Sequence, residues 1–549
     1  MKLLIEDTIS IDVESSSTLF DLAKNQPRTL DTPIVLARVD NRLVDLWYKP
    51  VRDCRINFVP LNSIDGIRSY RHSLVFLLLR AFHELYPEFN VIVAHSLGRA
   101  FYCRVEGQER LTRDMLFEVE NRMRRIVEAD ERFDRTSLSK AETADVLRAS
   151  GREDKLRLIK WINQETFHLY SFGELKDYFF MPLVPSSGYL QQFALELYQN
   201  GLLLRFPRHS APTEIEKPRQ YDKLFKIFEE YERWGEILEI NDIGHLNESI
   251  SNGTIKEMIQ ISEALHEKKI AYIADQIGEE FPKFKLILIA GPSSSGKTTF
   301  SKRLSVQLRV NKITPQMISI DDYFVPRSET PRLENGDFDY ENIRAIDIQL
   351  FNDHLQSLFR GELVELPKYD FATGRRGASG KKIQLGPKDV LIVEGIHGLN
   401  DELTPDIPKE LKFKIYVSAL TQLNIDDHNR FSTTDTRLIR RLVRDSHFRY
   451  YTALETLRRW PLVHEGEDRW IFPHQENADV MFNSALIFEQ AVLKSFALPA
   501  LLKIPRTEPE YSEARRLIDL LSCFLEISTA ELPSTSILRE FVGGSSFRY

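Results

Sequence analysis

The chain has 549 residues, of which 42% are hydrophobic and 28% charged, and its formal net charge is −8. A chain of this length predicts several folded units, because single cores stop growing near about 250–300 residues. The acidic balance argues against a nucleic-acid partner, which needs an excess of Lys and Arg. Cys54, Cys103 and Cys523 are far apart, which favours neither a disulfide framework nor a zinc site.

The amino-terminal residues MKLLIEDTISIDVE do not have the pattern of a secretory signal, because acidic residues follow a short apolar run and a small-residue cleavage site is missing. A stretch of about 20 apolar residues, as a membrane span requires, does not occur in the sequence. We therefore expect a cytoplasmic protein without a membrane partner.

The first half of the chain predicts two units and a connector. Residues 1–62 contain short apolar runs broken by polar turns, which predicts a small β-rich domain. Residues 65–207 begin with an amphipathic helix in HSLVFLLLRAFHELYP and continue as mixed elements, which predicts an α+β unit. Residues 208–282 begin with a polar, proline-containing linker over 208–221 and then show helical periodicity, which predicts a helical connector.

The second half predicts an α/β domain over residues 283–500. Apolar runs alternate there with helical segments, in the order KLILIA, QMISID, DVLIVEG and KFKIYVSA. Buried strands separated by helices predict a parallel sheet covered on both faces. Residues 501–549 predict a helical tail to which the sequence assigns no chemistry.

A phosphate-binding motif follows the first of these strands and precedes a helix. The sequence GPSSSGKTT satisfies GxxxxGK[ST] and predicts the ATP-binding residues Gly291, Pro292, Ser293, Ser294, Ser295, Gly296, Lys297, Thr298 and Thr299. Lys297 is expected to neutralise the β- and γ-phosphates, and the Thr298 hydroxyl to bind Mg²⁺. Glu394, at the end of DVLIVEG, is the second predicted metal residue. The predicted cofactors are ATP and Mg²⁺.

Phosphoryl transfer to an alcohol needs a carboxylate that accepts the hydroxyl proton near the γ-phosphate. Asp321 and Asp322 follow the strand QMISI, at the sheet edge where open α/β sheets bind their ligands. One of these two residues is therefore the candidate general base.

Five motifs in fixed order, SIDDYF, GDFDYEN, LPKYDFATGRR, VLIVEGIHGL and DTRLIRRLVRD, resemble the uridine kinase and phosphoribulokinase family over about residues 285–490. The resemblance implies phosphorylation of a nucleoside 5′-hydroxyl with Asp321 as the base. It implies that Asp339 and Arg437 hold the ribose hydroxyls and that Tyr369 borders the nucleobase, near Phe324.

The arginines of DTRLIRRLVRD resemble the family's lid over the triphosphate. Arg437, Arg440, Arg441 and Arg444 fall at helical spacing. The resemblance implies that Arg440 is catalytic with Lys297 and Asp321, and that Arg444 binds ATP. Guanidinium groups in such a lid stabilise charge on the transferred phosphoryl group. Without the resemblance, a solvated basic helix face explains the same spacing.

Two departures from the family pattern concern the acceptor. Family members that take pyrimidines have a hydroxylated aromatic residue and a histidine where this chain has Phe324 and Gly374. Loss of these polar groups weakens pyrimidine recognition, because a pocket discriminates bases by hydrogen bonds. A purine nucleoside is therefore an alternative acceptor, as is another small alcohol such as a sugar phosphate. The second phosphate of a sugar phosphate would need cations, for which the sequence offers Arg327, Arg332, Arg375 and Arg376.

The front half carries a second resemblance. Residues 1–62 resemble a TGS domain, and YRHSLVFLLLRAF and DYFFMPLVPSSGYLQQFAL resemble the second additional domain of threonyl-tRNA synthetases. That domain hydrolyses mischarged tRNA with an HxxxH and a CxxxH pair, of which this chain keeps only His72. The other three positions are Phe76, Phe179 and Leu183, so we expect neither a metal site nor editing. An RNA-linked, nucleotide-dependent binding protein remains an alternative function, and a homo-oligomer stays open.

Overall fold

The computed structural model describes residues 2–6, 8–12, 17–24, 32–217, 219–421 and 423–548. The predicted β-rich domain includes Met1 and Val13 and the predicted linker includes Pro218, and these three residues lie outside the described ranges. Within the described ranges, no helix combines the length and apolar character needed to cross a membrane.

The first unit is a five-stranded sheet in the order β2-β1-β5-β3-β4 with one short helix. Leu3, Ala37 and Ile56 of the sheet are buried against Leu19 and Leu22 of the helix. The elements are β1 (Lys2–Ile5), β2 (Ile9–Asp12), α1 (Leu19–Lys24), β3 (Ile34–Val39), β4 (Arg42–Asp45) and β5 (Cys54–Pro60).

The second unit is an α+β fold whose long first helix is capped by Ser63 and is almost entirely buried. Its strands form a four-stranded sheet, β11-β12-β7-β6, and a three-stranded sheet, β10-β9-β8. The elements are α2 (Ile64–Leu85), β6 (Asn90–Ser96), β7 (Ala100–Glu106), α3 (Arg113–Glu128), β8 (Asp134–Ser139), α4 (Lys140–Ala149), α5 (Glu153–Ile159), β9 (Thr166–Phe172), β10 (Leu175–Tyr178), β11 (Ala194–Tyr198) and β12 (Gly201–Arg205).

Three helices, α6 (Asp222–Leu238), α7 (Ile243–Asn252) and α8 (Ile255–Glu279), then lead into the C-terminal domain. That domain has a five-stranded, all-parallel sheet in the order β14-β17-β13-β18-β19, which confirms the predicted multi-domain organisation with a parallel α/β domain. The elements are β13 (Leu286–Ala290), α9 (Lys297–Val310), β14 (Thr314–Ser319), α10 (Ile348–Phe359), β15 (Val364–Asp370), β16 (Arg375–Ile383), β17 (Asp389–Glu394), β18 (Lys412–Ser418), α11 (Thr433–Phe448), α12 (Ala453–Trp470), β19 (Val480–Asn483), α13 (Glu489–Leu501), α14 (Tyr511–Ser522) and α15 (Arg539–Val542).

Charged side chains join the front half to the C-terminal domain. Arg68 of α2 pairs with Glu513 of α14 at 2.7 Å, and Arg516 of α14 pairs with Asp435 at the start of α11. Fully buried Lys155 lies 3.2 Å from Asp426. Because breaking a buried ion pair leaves an uncompensated charge, these contacts fix the two halves of the chain relative to each other.

Three positions at which the threonyl-tRNA synthetase resemblance would place metal-binding side chains lie in the hydrophobic core of the second unit. Phe76 and Leu183 are fully buried and Phe179 is nearly so. The rings of Phe76 and Phe179 are 5.2 Å apart, and His72 lies edge-on to Phe179 at 6.2 Å. Burial lowers the pKa of His72 to about 4, with Arg516 adding to the effect. His72 is therefore a neutral packing residue.

Candidate nucleotide and acceptor site

The phosphate loop, residues 291–299, connects β13 to α9 and packs closely against β18. A Cβ on Gly291 would lie 1.9 Å from the Val417 carbonyl oxygen, so only glycine fits at this position. Gly296 has φ +81°, a left-handed conformation that turns the chain into α9. The loop thus presents its N–H groups and the positive end of α9 to an anion.

Lys297 lies inside the phosphate loop. Its ammonium group donates hydrogen bonds to the carbonyl oxygens of Gly291 at 2.8 Å and Pro292 at 3.0 Å. Burial lowers the pKa of Lys297, and the carboxylates of Glu394 and Asp321 oppose that shift. The phosphate loop therefore holds the Lys297 ammonium group close to several carboxylates.

Thr298 and Glu394 meet, as a shared metal site requires. The Thr298 hydroxyl donates to Glu394 Oε1 at 2.7 Å, and the Ser301 hydroxyl donates to Glu394 Oε2 at 2.8 Å. Burial raises the pKa of Glu394, while the Thr298 hydrogen bond and Lys297 lower it. A hydroxyl and a carboxylate oxygen are hard ligands that suit Mg²⁺. Within the described ranges, no cluster of three or more His, Cys, Asp or Glu side chains forms a metal cage.

The two adjacent aspartates differ in their partners. Asp322 pairs with Lys368 at 3.0 Å, whereas Asp321 has no ion pair or hydrogen bond through its side chain in the described part of the chain. Ser319 pairs in register with Glu394, so Asp321 follows the strand next to the metal residues. Asp321 is open to solvent but lies in a crowded cleft, where desolvation raises its pKa and Lys297 opposes that change.

The predicted acceptor residues gather on one side of this cleft. Asp339 is buried and accepts a hydrogen bond from Asn342 Nδ2 at 3.1 Å. The ring of Phe324 packs against the ring of Tyr369 at 5.4 Å and the ring of Phe371 at 5.3 Å. Phe324, Tyr369 and Phe371 thus form an aromatic wall, and Asp339 is the carboxylate beside it.

Arg327 covers Gly374 in this wall. Gly374 has φ +68°, and a Cβ there would lie 2.6 Å from Arg327 Nε. Arg327 Nε also donates to the Tyr340 hydroxyl at 3.1 Å, and the Arg327 N–H donates to the Gly374 carbonyl oxygen at 3.0 Å. A side chain at position 374 would therefore be strained and would displace Arg327. Arg327 therefore occupies the space that a side chain at position 374 would need.

The structure does not bring Arg437 to Asp339. Arg437 is fully buried and forms a bidentate pair with fully buried Glu467, whose Oε2 lies 2.7 Å from Arg437 Nη2. The Ser293 N–H donates to Glu467 Oε1 at 2.9 Å, and Arg437 donates to the Ser293 carbonyl oxygen at 3.2 Å. Arg437 therefore braces the phosphate loop from the protein interior.

Arg440 has a similar buried position. It is fully buried and pairs with Glu489 at 2.6 Å, and it donates to the Ser484 carbonyl oxygen at 2.8 Å. Its contact to the phosphate loop is a hydrogen bond of 3.4 Å to the Ser294 carbonyl oxygen. Arg440 therefore contacts the loop from the protein interior.

Arg441 and Arg444 of α11, and Arg449 just after it, are less deeply buried than Arg437 and Arg440. Arg441 donates to the Ser293 hydroxyl at 2.9 Å, and Arg444 donates to Asp445 at 2.9 Å. Arg449 lies 3.8 Å from Asp445, and its pKa is lowered by burial and by Arg444. Arg441 also lies 3.3 Å from Asp445, so three guanidinium groups surround this one buried carboxylate.

Three acids around the phosphate loop were not predicted from the sequence: Glu467, Glu341 and Glu540. Glu341 follows Asp339 and Tyr340 and packs on α12, where a Cβ on Gly466 would lie 2.5 Å from its own Cβ. Desolvation first, and then Glu467, raise the pKa of Glu341 to about 7. The Glu of GDFDYEN, within a motif already singled out, was the signal that could have identified Glu341.

Comparison with known proteins agrees with this geometry. Residues 286–487 match the model of the Phosphoribulokinase / Uridine kinase family. A uridine kinase of Brevibacillus brevis is 35% identical over 160 residues, which cover 29% of this chain and 65% of that protein. A solved structure described as a possible uridine kinase from Bacillus stearothermophilus aligns with 39% of this chain and 98% of its own, at 19% identity and a TM-score of 0.28, which adds nothing to the assignment.

The front half matches a different group of proteins. A threonine–tRNA ligase of Pelobacter propionicus is 27% identical over 195 residues, which cover 36% of this chain and 31% of the ligase. The chain therefore spans about a third of the length of this relative. The C-terminal region of the chain is therefore similar to the phosphoribulokinase/uridine kinase family, and it is joined to an N-terminal region similar to threonine–tRNA ligases.

Proposed function

We propose that the protein transfers the γ-phosphoryl group of Mg²⁺-ATP to the 5′-hydroxyl of a nucleoside. The observation that carries the proposal is the arrangement at the carboxyl ends of β13, β14 and β17. There Lys297 in the phosphate loop, Asp321 and the Thr298–Glu394 pair (2.7 Å) face one cleft. Phosphoryl transfer requires this combination of phosphate cradle, metal ligands and base.

The phosphate loop would hold the nucleotide. Lys297 would exchange its hydrogen bonds to the Gly291 and Pro292 carbonyls for phosphate oxygens, because an anion is a better partner than a neutral carbonyl. Thr298 and Glu394 would hold Mg²⁺, which supplies charge neutralisation when bound. Arg441, which already contacts the loop through Ser293 at 2.9 Å, is placed to add positive charge.

Asp321 would accept the proton of the acceptor hydroxyl. Its neighbour Asp322 is paired with Lys368 at 3.0 Å, so Asp321 is the carboxylate left for proton transfer. Asp339 would bind sugar hydroxyls, and the Phe324–Tyr369 wall would stack on the nucleobase. Arg327 beside Gly374 would then donate to acceptor atoms on the base edge, in the manner of arginines that read carbonyl oxygens.

The test is to incubate the purified full chain with Mg²⁺-ATP and a panel of purine and pyrimidine ribo- and deoxyribonucleosides, with ribulose 5-phosphate added as a sugar phosphate. ADP and the phosphorylated acceptor are measured for each. We expect one nucleoside class to be turned over. Turnover of the sugar phosphate alone would contradict the nucleoside assignment, and ATP-dependent binding of RNA without product would favour the RNA-linked alternative.

We expect Lys297→Ala to lower kcat/KM by at least about 10²-fold, because it removes the only lysine of the phosphate loop. Nucleotide affinity should fall in the same variant, measured by calorimetric titration with Mg²⁺-ADP. Lys312→Ala, at an exposed position just beyond the end of α9, is the lysine control and should retain most of the activity. Equal losses in both variants would contradict the role of Lys297.

The pKa of Glu341 predicts a pH dependence of nucleotide affinity. Burial and the Glu467 carboxylate raise this pKa to about 7, so the group ionises as pH rises through neutrality. Ionisation of Glu341 adds a negative charge beside the phosphates of the bound nucleotide. We therefore expect the wild-type Kd for Mg²⁺-ADP to be about fivefold weaker at pH 8 than at pH 6, as one added charge at this range implies.

Glu341→Gln should remove that pH-dependent component, because the amide keeps the shape and does not ionise. Glu334 lies in the same segment and is exposed, so Glu334→Gln is the matched control. This variant should keep the wild-type pH dependence. Calorimetric titrations at five pH values compare the three proteins. The same slope in Glu341→Gln as in the wild type would contradict this assignment.

A further inference from the structure

The end of the chain, residues 529–548, folds back over the phosphate loop. Within this C-terminal segment Ile537, Leu538 and Phe541 are fully buried. A Cβ on Gly296 would lie 2.8 Å from Ile537 Cγ2, and the Phe541 ring lies 5.0 Å from the Arg440 guanidinium carbon. The segment is therefore part of the wall of the nucleotide site.

Glu540 places its carboxylate against the phosphate loop. Its Oε2 accepts a hydrogen bond from the Thr299 N–H at 3.0 Å and another from the Thr299 hydroxyl at 2.7 Å. Thr299 is the last residue of the GPSSSGKTT motif, in the first turn of α9. Amides in the first turn of a helix have no acceptor within the helix, and in phosphate loops they are the donors that hold nucleotide phosphates. Glu540 thus accepts hydrogen bonds from Thr299 groups that a nucleotide phosphate would otherwise use.

The C-terminal segment is braced in this position. The Arg539 guanidinium donates to the carbonyl oxygens of Thr529 at 2.9 Å, Leu532 at 2.7 Å and Pro533 at 3.3 Å. The Ser546 N–H donates to the Ser534 carbonyl oxygen at 3.0 Å. Because the segment holds its own shape, the carboxylate of Glu540 is presented to Thr299 at a fixed place and not as a flexible end.

From this geometry we infer that Glu540 is an intramolecular competitor of the nucleotide: a phosphate group of ATP must displace its carboxylate from Thr299, so the C-terminal segment sets nucleotide affinity. The inference rests on the proposed function in one respect, since the phosphate loop must bind a nucleotide. Two anions cannot share the Thr299 donors, and like charges at this separation repel. The segment therefore restrains the site until ATP concentration, or a partner that binds residues 529–548, shifts the balance.

The first experiment measures Mg²⁺-ATP and Mg²⁺-ADP binding to the full chain by calorimetry, without an acceptor. Glu540→Gln keeps the shape and one acceptor oxygen but removes the charge, and we expect its Kd to fall by about three- to tenfold. Glu531→Gln is the matched control, because Glu531 lies in the same segment and pairs with Lys256 at 3.2 Å, away from the loop. An unchanged or weaker affinity in Glu540→Gln overturns the inference.

Hydrogen exchange gives an independent measurement. Saturating Mg²⁺-ATP should increase amide exchange in residues 536–548 of the wild type, because displacement of Glu540 loosens the segment. Increased protection there overturns the inference. If the wild type binds no ATP, or Lys297→Ala binds it equally well, the proposed function fails. Lys297-dependent binding that Glu540→Gln leaves unchanged overturns only the inference.

Discussion

Asp321→Asn is expected to lower kcat by about 10²–10⁴-fold, because a general base contributes an effect of this size to proton transfer. The Kd for Mg²⁺-ATP should stay within a few-fold of the wild-type value. The amide has the shape of the carboxylate and cannot accept the acceptor proton. Product formation under saturating substrate and calorimetric ATP titration measure the two quantities on the same preparation.

Asp322→Asn is the comparison that distinguishes the base from local charge. Asp322 is adjacent in sequence but is paired with Lys368 at 3.0 Å, so its substitution removes a pair beside the cleft and not the base. We expect a loss of less than about tenfold in kcat, the size of a modest electrostatic change. Wild-type turnover in Asp321→Asn, or equal losses in both variants, would show that proton transfer does not depend on Asp321.

Glu467→Gln is expected to destabilise the C-terminal domain by about 3–5 kcal/mol, because it leaves the fully buried Arg437 guanidinium without its counterion. It also weakens the acceptor of the Ser293 N–H at 2.9 Å, so the phosphate loop should lose nucleotide affinity as well. Urea unfolding followed by fluorescence measures the first effect, and ADP titration the second. Glu465→Gln is the matched control: it lies on the same helix in an exposed pair with Arg469 at 3.3 Å, where a change within about 0.5 kcal/mol is usual.

The same pair predicts how stability depends on pH. Burial works to raise the pKa of Glu467, but Arg437 first, and then His464 at 3.8 Å, hold it down to about 2, below the ordinary value of 4.5. A lowered carboxyl pKa contributes stability that is complete above about pH 4.5 and is lost as pH falls towards about 2. The stability difference between the wild type and Glu467→Gln should therefore shrink over that window, and a constant difference would contradict the ion-pair assignment.

Local sequence patterns were sufficient for the fold class and for the centre of the candidate site. The phosphate loop, Asp321 and Glu394 each follow an apolar strand, and the ends of parallel strands must meet at one edge of a sheet. The fifth strand, Val480–Asn483, and the hairpin of β15 and β16 were not predicted, because a four-residue strand and a strongly exposed, glycine-containing strand carry little periodic signal.

Pairing across long sequence separations could not be predicted. Helical spacing placed Arg437 and Arg440 on one helix, but it could not show that Glu467 and Glu489 neutralise them in the interior. Nothing in the sequence near Glu540 connects it with Thr299, because that contact depends on how the last residues fold back over α11. Which side of a helix is buried, and by what, is decided by tertiary packing.

The burial of Phe76, Phe179 and Leu183 limits which side chains the second unit can accept at these positions. Each position now fills space in a dry core, and a polar side chain returned there would lose its hydration without gaining a partner, at a cost of about 1–3 kcal/mol. Single polar substitutions, such as Phe76→His, are therefore expected to weaken the fold. A metal-binding or hydrolytic set of side chains could not be built at these positions one residue at a time without a loss of stability at each step.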